Sequence, residues 1–294
     1  MNGQRVRYED ILSGLDDALG FARDLGLKSL AKHGRFSHYR KKIDELISTV
    51  IRRDLSSEVA KRIRARLRDY LVALSESFEL SDVMAHLKSL PPQVLGPKLK
   101  IALKGPTLPT QENTNSNNAR NVLFELSVAA RLKNAGIEPT LGEHPDVSCY
   151  VADKPVFIEC KRPFAEATLG ENIESAANQL LTHLATDGKA VGIIAISVSK
   201  ALNPGFQPIR TPDAARARAW LVGALESAAA SVGSICAKFD DGRIVGILFH
   251  AIAVFENVET NRYDVGQQFL AYPFILPADP AYLSVGKALD KTSY

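Results

Sequence analysis

No stretch of this 294-residue chain approaches the roughly 18 consecutive apolar residues that a membrane-spanning helix requires. Its first ten residues, MNGQRVRYED, hold no apolar core of the kind a signal peptide needs. Both absences point to a cytoplasmic protein with no membrane attachment. Cysteine is scarce: Cys149, Cys160 and Cys236 show no CxxC spacing and no histidine cluster accompanies them, which argues against a zinc site and against a disulfide framework. Aromatic residues do not interleave with the most basic segment, so base stacking of the single-strand-binding kind is not suggested. No internal repeat is visible.

What is present is an ordinary globular composition, 46% hydrophobic and 23% charged, in a chain long enough for one large domain or two modest ones. The net charge of +3 is unevenly spread. Residues 1–104 carry 20 Lys and Arg against 13 Asp and Glu, and the remainder carries 16 against 20. A basic front half beside an acidic back half suits a module that holds a polyanion next to one that collects cations.

The front half reads as helices. Ile11, Leu15 and Leu19 recur at four-residue spacing, as do Ile43, Ile47 and Ile51, then Val59, Ile63, Leu67 and Leu71. Leu74 and Phe78 extend the third helix, and Val83, Leu87 and Leu90 mark a short fourth one ended by Pro91-Pro92. Residues 105–118 are rich in Pro, Asn and Thr and read as an exposed linker between a helical, basic domain over 1–104 and a second domain over 119–294. Beyond the linker the spacing predicts a helix over 119–135, capped by Asn117 or Asn118 and stopped by Gly136. Strands over 137–141, 146–151 and 155–161, a helix over 171–185 and a strand over 190–199 follow. A long helix opens at Thr211-Pro212 with proline at its first position, and strands near 244–255 and 268–275 complete a mixed α/β sheet with helices on both faces.

The run KPVFIECKRP over 154–163 carries the chemistry. Side chains alternate along a strand, so Phe157, Glu159 and Lys161 share one face and Ile158 and Cys160 the other, which makes Cys160 a small core residue. One Glu-x-Lys triplet is expected by chance in about this length, so context decides its value. Pro145-Asp146 opens the preceding strand, and a turn at Ala152-Asp153 would fold the two strands into a hairpin with Asp146 near Glu159 and Lys161. Asp187-Gly188-Lys189 also spells acid-x-lysine but lies in a turn, where its side chains have no fixed face. Glu125 sits inside the apolar stripe of Val122, Leu126, Ala129 and Leu132, either drawn into the same site or at a border reaching solvent or an arginine.

Three carboxylates in one place would repel, each pair at about 4 Å costing on the order of 4 kcal/mol at an effective dielectric of 20. A divalent cation would offset most of this, and oxygen-only ligands suit Mg²⁺, with Mn²⁺ as substitute. Pro145-Asp146, twelve intervening residues, then Glu159-Cys160-Lys161, preceded by a helix bearing Glu125, resembles the PD-(D/E)XK nuclease superfamily over about residues 117–200. The resemblance implies a restriction-endonuclease-like α-β-β-β-α-β core. It also implies that Asp146, Glu159 and the Cys160 backbone carbonyl bind the catalytic metal, that Glu125 is an additional ligand, and that Lys161 is the catalytic lysine. Gln179 resembles a glutamine that several branches place near the substrate, and is otherwise a solvent-facing helix residue; His183 stands where one such branch has tyrosine. His144 either touches substrate or is a solvated loop residue.

The basic segment KRIRARLRDY places Lys61, Arg64 and Arg68 on one flank of a helix and Arg62 and Arg66 on the other. These arginines either contact phosphates or form a solvated surface paired with Glu58 and Asp69. The expectation is a Mg²⁺-dependent endonuclease acting on double-stranded DNA, in a restriction, phage-defence, mobile-element or repair setting, as a homodimer or with a partner protein. The alternative is a catalytically silent nucleic-acid-binding or assembly subunit with a nuclease-like fold.

Overall fold

The computed structural model describes residues 7–52, 58–112, 118–236, 239, 242–260, 262–274 and 277–290. Six helices come first: α1 (Tyr8–Asp24), α2 (Lys28–His33), α3 (Arg35–Arg52), α4 (Glu58–Ala65), α5 (Leu67–Leu87) and α6 (Pro92–Ala102). Ile11, Leu15, Ala18, Leu19 and Ala22 line the buried face of α1. Helix α5 is buried nearly all round, as expected of a central helix, and packs on α1 and α3. The periodicity predicted one helix from Val59 through Phe78 and a separate one at Val83–Leu90. Instead the chain breaks at Arg66 (φ −126°, ψ 29°), and one helix then runs unbroken to Leu87. Apolar spacing carries through the break because Ile63 and Leu71 are buried on both sides of it, so periodicity alone could not register the interruption.

The second half follows the order α7 (Asn118–Asn134), β1 (Pro139–Leu141), β2 (Val147–Val151), β3 (Lys154–Lys161), α8 (Leu169–Leu184), β4 (Val191–Ser197), α9 (Ser199–Leu202), β5 (Ile209–Thr211), α10 (Ala214–Ser231), α11 (Gly233–Cys236), β6 (Ile244–Asn257), β7 (Arg262–Pro273) and α12 (Pro280–Asp290). Gly136, with φ +83°, terminates α7 as predicted. Asn117 lies outside the described residues, and Asn118 is the first helical residue rather than a settled cap. The helix predicted to open at Thr211-Pro212 begins two residues later: Thr211 ends β5, and Asp213 is the N-cap, its carboxylate accepting from the Arg216 N–H at 2.8 Å.

The sheet has seven strands in the order β1-β2-β3-β4-β6-β5, with β7 also on β6. It is mixed: β3, β4 and β6 run parallel, whereas β1-β2-β3 and β6-β7 are antiparallel. β4 pairs with residues 244–250 of β6 and β5 with residues 255–257, so both share one edge of β6 while β7 takes the other. One face, covered by α8 and α10, is packed with Leu180, Leu184, Ile194, Ile196, Leu221 and Leu225. Val156, Ile158 and Cys160 point the other way, into a core that runs without interruption from Leu15 and Leu74 through Phe124 to Leu289. The change of secondary structure near residue 105 is therefore not a break in the apolar core. Cys149 and Cys160 are buried free thiols.

A buried ionic cluster also crosses that point. Arg120 on α7 donates to Glu76 on α5 at 2.6 Å and to Glu112 at 2.5 Å, and its other nitrogen reaches the Pro106 carbonyl at 3.1 Å. Arg35 adds a contact to Glu76 at 3.5 Å, and Arg162, just after β3, one to Glu79 at 3.5 Å. Burial alone would raise the Glu76 carboxyl, but Arg120, Arg35 and Arg162 outweigh it and hold that carboxyl low; on Glu79 burial wins and the carboxyl is raised. Residues 105–112, read as exposed linker, are thus tied down through Glu112, which also meets Lys200 at 3.4 Å. Arg120→Met would leave Glu76 to the longer contact with Arg35 and Glu112 to that with Lys200, and is expected to cost about 3 kcal/mol in urea unfolding. A loss under about 1 kcal/mol would show that the cluster is not a load on folding.

Candidate active site

The site is built on the β2–β3 hairpin. Its turn residues, Ala152 and Asp153, both take positive φ (49° and 63°), the twist that a two-residue hairpin needs. The register pairs Val147 with Ile158 and Ser148 with Phe157. One step further, Asp146 falls opposite Glu159 on the same face. The Asp146 carboxylate accepts from the Cys160 N–H at 2.8 Å, so the end of β3 fixes its direction.

Glu159 is 0% exposed, and neither of its carboxylate oxygens has a hydrogen-bond partner. Its Oε2 lies 3.8 Å from the Lys161 ammonium and its Oε1 lies 4.0 Å from His144 Nδ1. Burial pushes its carboxyl up to about 8; the negative charge of Asp146 and a hydrogen bond that the protonated acid can give to that carboxylate add to the effect, and Lys161 opposes it. Lys161 is held from the other side by Gln179 on α8, whose side-chain oxygen accepts its proton at 2.5 Å. Gln179 is therefore not a plain surface residue; it orients the lysine.

Glu125 reaches the same neighbourhood from α7. Burial raises its carboxyl, and Asp146 adds to the rise, while Lys98 on α6 answers with an ammonium 2.6 Å from Oε2. The sequence pointed to solvent, an arginine or a metal as partner; the partner found is Lys98, a residue that carried no sequence signal for this role.

Histidines also enter. His144, Glu159 and His183 each present a ligand atom, and these atoms lie within 4.8 Å of one another, the one such group of three among the described residues. The two imidazoles stack with centroids 5.8 Å apart at 14°. The sequence reading gave neither histidine a place beside Glu159; the fold brings both there, next to the oxygen donors it did single out. The available signal was spacing: His144 precedes Asp146 by two residues, and His183 follows Gln179 by one helical turn, which puts both on the face of α8 that meets β3.

The arginines do not join this site. Arg62 and Arg64 are exposed on α4, Arg66 occupies the break, and Arg68 is partly buried at the start of α5; α4 packs on α3 and α5. Arg62 pairs with Glu45 at 3.1 Å and Lys61 with Glu58 at 2.6 Å, while Asp69 is taken by Lys42 at 3.1 Å. The Asp187-x-Lys189 decoy is an exposed turn in which the carboxylate accepts from the Lys189 N–H. A Ser197–His250 contact at 2.9 Å resembles a nucleophile and its base, but His250 is fully buried, sealed between Phe124 and Phe269 and bonded to Gln267, so no substrate reaches it. Among the described residues, no helix is long and apolar enough to cross a membrane. Comparison with protein-family models, with curated proteins and with solved structures finds no match to this chain.

Glu159 titrates near about 4.3 in an unfolded chain and near about 8 in the fold. The stabilisation from its proton is present below about pH 4.3 and is lost as pH rises through about 8. In metal-free protein, Glu159→Gln is expected to gain on wild type by up to about 4 kcal/mol between about pH 5 and pH 9, measured by chemical denaturation. A difference independent of pH would mean that the carboxylate is already satisfied.

Proposed function

We propose that this chain is a metal-dependent nuclease hydrolysing phosphodiester bonds, with double-stranded DNA as substrate and the PD-(D/E)XK arrangement as its catalytic plan. The observation that carries the reading is Glu159, a buried carboxylate with both oxygens unpartnered, opposite Asp146 and two residues from Lys161. The order α7-β1-β2-β3-α8-β4 supports a restriction-endonuclease-like core for the same reason, because it brings these three side chains to one end of two neighbouring strands.

The residues fit a hard divalent cation. Two carboxylates and a strand-end carbonyl are donors suited to Mg²⁺ or Mn²⁺, and an orphaned buried oxygen is what such a donor looks like without its ion. Asp146, Glu159 and the Cys160 carbonyl would hold it, with Glu125 as outer support through its pairing with Lys98. A bound ion polarises a phosphoryl oxygen and lowers the pKa of its water. Lys161, steadied by Gln179, orients the attacking water and stabilises the negative charge that develops on the phosphate. The Cys160 N–H holds Asp146 so that its free oxygen keeps one direction throughout. On this reading Arg62 and Arg64, exposed on α4, would meet backbone phosphates away from the cleavage point, Arg62 exchanging its pairing with Glu45 for one, each contact adding about 0.9 to the salt slope on duplex DNA.

Purified protein with supercoiled plasmid and Mg²⁺ or Mn²⁺ tests the reading. Wild type is expected to nick, and Asp146→Ala and Lys161→Ala to lose about 10²–10³-fold in rate. Equal nicking by all three would trace the activity to something other than this site. Salt-sensitive DNA binding without cleavage by any form would favour a non-cutting nucleic-acid-binding subunit instead.

A further inference from the structure

The two oxygens of Glu159 face different neighbours. Oε2 looks toward Lys161, and Oε1 toward His144 Nδ1 at 4.0 Å, with His183 completing a group whose ligand atoms lie within 4.8 Å of one another. We propose that His144, His183 and Glu159 Oε1 form a cation site of their own, taking an imidazole-preferring divalent ion of the Zn²⁺ or Co²⁺ class and disfavouring Mg²⁺. It shares Glu159 with the hydrolytic reading above and otherwise stands apart from it, since it requires no cleavage.

Three observations carry this. First, the donor set is two imidazoles and one carboxylate, which suits zinc and its first-row neighbours and leaves a fourth position for water or a ligand. Magnesium, by contrast, takes oxygen donors and keeps most of its water. Second, the spacing fits. Donors about 2.1 Å from one tetrahedral ion lie about 3.4 Å apart; the 4.0 Å His144–Glu159 separation and the 4.8 Å limit on the group each leave a closure of about 1 Å, which rotation of the exposed His144 ring and of His183 can supply. Third, Glu159 is fully buried with no hydrogen bond to either oxygen, so the group is not an idle surface cluster. A simple ion pair between a protonated His144 and Glu159 would account for one imidazole. It gives no reason for His183 to be brought beside the same carboxylate and stacked on the other ring.

Exposure separates the roles of the two imidazoles. His144 has 59% of its side chain in solvent and can swing onto an ion, whereas His183 is half-buried on α8, one turn beyond the glutamine that holds Lys161. The site therefore opens on the His144 side.

Titration with Co²⁺, followed by its visible absorption, and with Zn²⁺, followed by calorimetry, tests the proposal. Wild type is expected to bind one ion with nitrogen-ligand absorption bands that excess Mg²⁺ does not displace. His144→Ala and His183→Ala should each weaken binding by more than about 100-fold, beyond the loss seen when only supporting residues are removed. His144 is exposed, so its alanine variant is expected to keep the wild-type circular dichroism and melting profile, which makes loss of binding there attributable to the ligand. Lys161→Ala should retain Co²⁺ binding even though it removes cleavage on the reading above, so the two readings fail separately. Absence of Co²⁺ and Zn²⁺ binding by wild type, wild-type affinity in either histidine variant, or ready displacement by Mg²⁺ would overturn the site.

Discussion

A carboxyl group taken out of water with no donor for its ionised form is the constraint around which this end of the sheet is organised. Glu159 is in that position because β3 alternates strictly: the same register that buries Ile158 and Cys160 against α7 forces Glu159 under α8. Nothing in the strand could spare it, since its neighbours across the ladder are Asp146 and Ile194. The inner ring then contains three carboxylates, Glu125, Asp146 and Glu159, and two ammonium groups, Lys98 and Lys161. At an effective dielectric near 20, a contact of about 4 Å is worth on the order of 4 kcal/mol in either sign. Lys98 is spent on Glu125 and Lys161 is shared with Gln179, so without a cation the remaining negative charge rests on Asp146 and Glu159 holds its proton up to about pH 8. A polar arrangement left this far from balance stabilises nothing by itself; its sense lies in what it can bind.

Holding such a site open requires a stiff surround, and the helical region supplies part of it. Glu76 and Glu79 reach from α5 to Arg120 on α7 and to Arg162 at the exit of β3, and Lys98 reaches from α6 to Glu125. The helices before residue 105 thus fix both elements that carry the site's acids, and one of their own residues stands beside it. Breaking any buried pair of this kind leaves an uncompensated charge, which is why the cluster resists loosening even though assembling it offers little net stability. The region is more than a separate basic module attached through a linker, whatever its exposed arginines do.

The hairpin, the shared face of Glu159 and Lys161, and the approach of Asp146 were all legible in the sequence because each depends only on strand alternation and a two-residue turn. Glu125 was legible as an anomaly, an acid within an apolar stripe, but its partner was not: Lys98 lies 27 residues away on another helix, and only the packing of α6 on α7 brings the two together. The histidines failed for the same reason. His183 lies 39 residues from His144 in the sequence, and their meeting depends on how α8 lies over β3. The break at Arg66 was hidden by apolar spacing that happens to continue across it. Local periodicity reports which face of an element is buried; it does not report what the element is buried against.

The placement of α8 decides the most, because one helix delivers Gln179 to Lys161 and, a turn later, His183 to Glu159. Its approach is governed by Gly192 on β4, which lies beside Phe157 in the ladder. A Cβ at that position would come within 3.1 Å of Leu184 and 3.3 Å of Leu180, both on the inner face of α8. The two leucine methyls would have to give by a few tenths of an ångström, by turning aside or by carrying α8 with them, and any movement of the helix would be felt at both ends of the reach to β3. A hydrogen bond of 2.5 Å between Gln179 and Lys161 tolerates little of it before the lysine turns toward solvent. The absence of one methyl group in the centre of the sheet therefore connects core packing to charge placement at the site, and makes the geometry around Glu159 a property of the whole α8–β4 contact rather than of β3 alone.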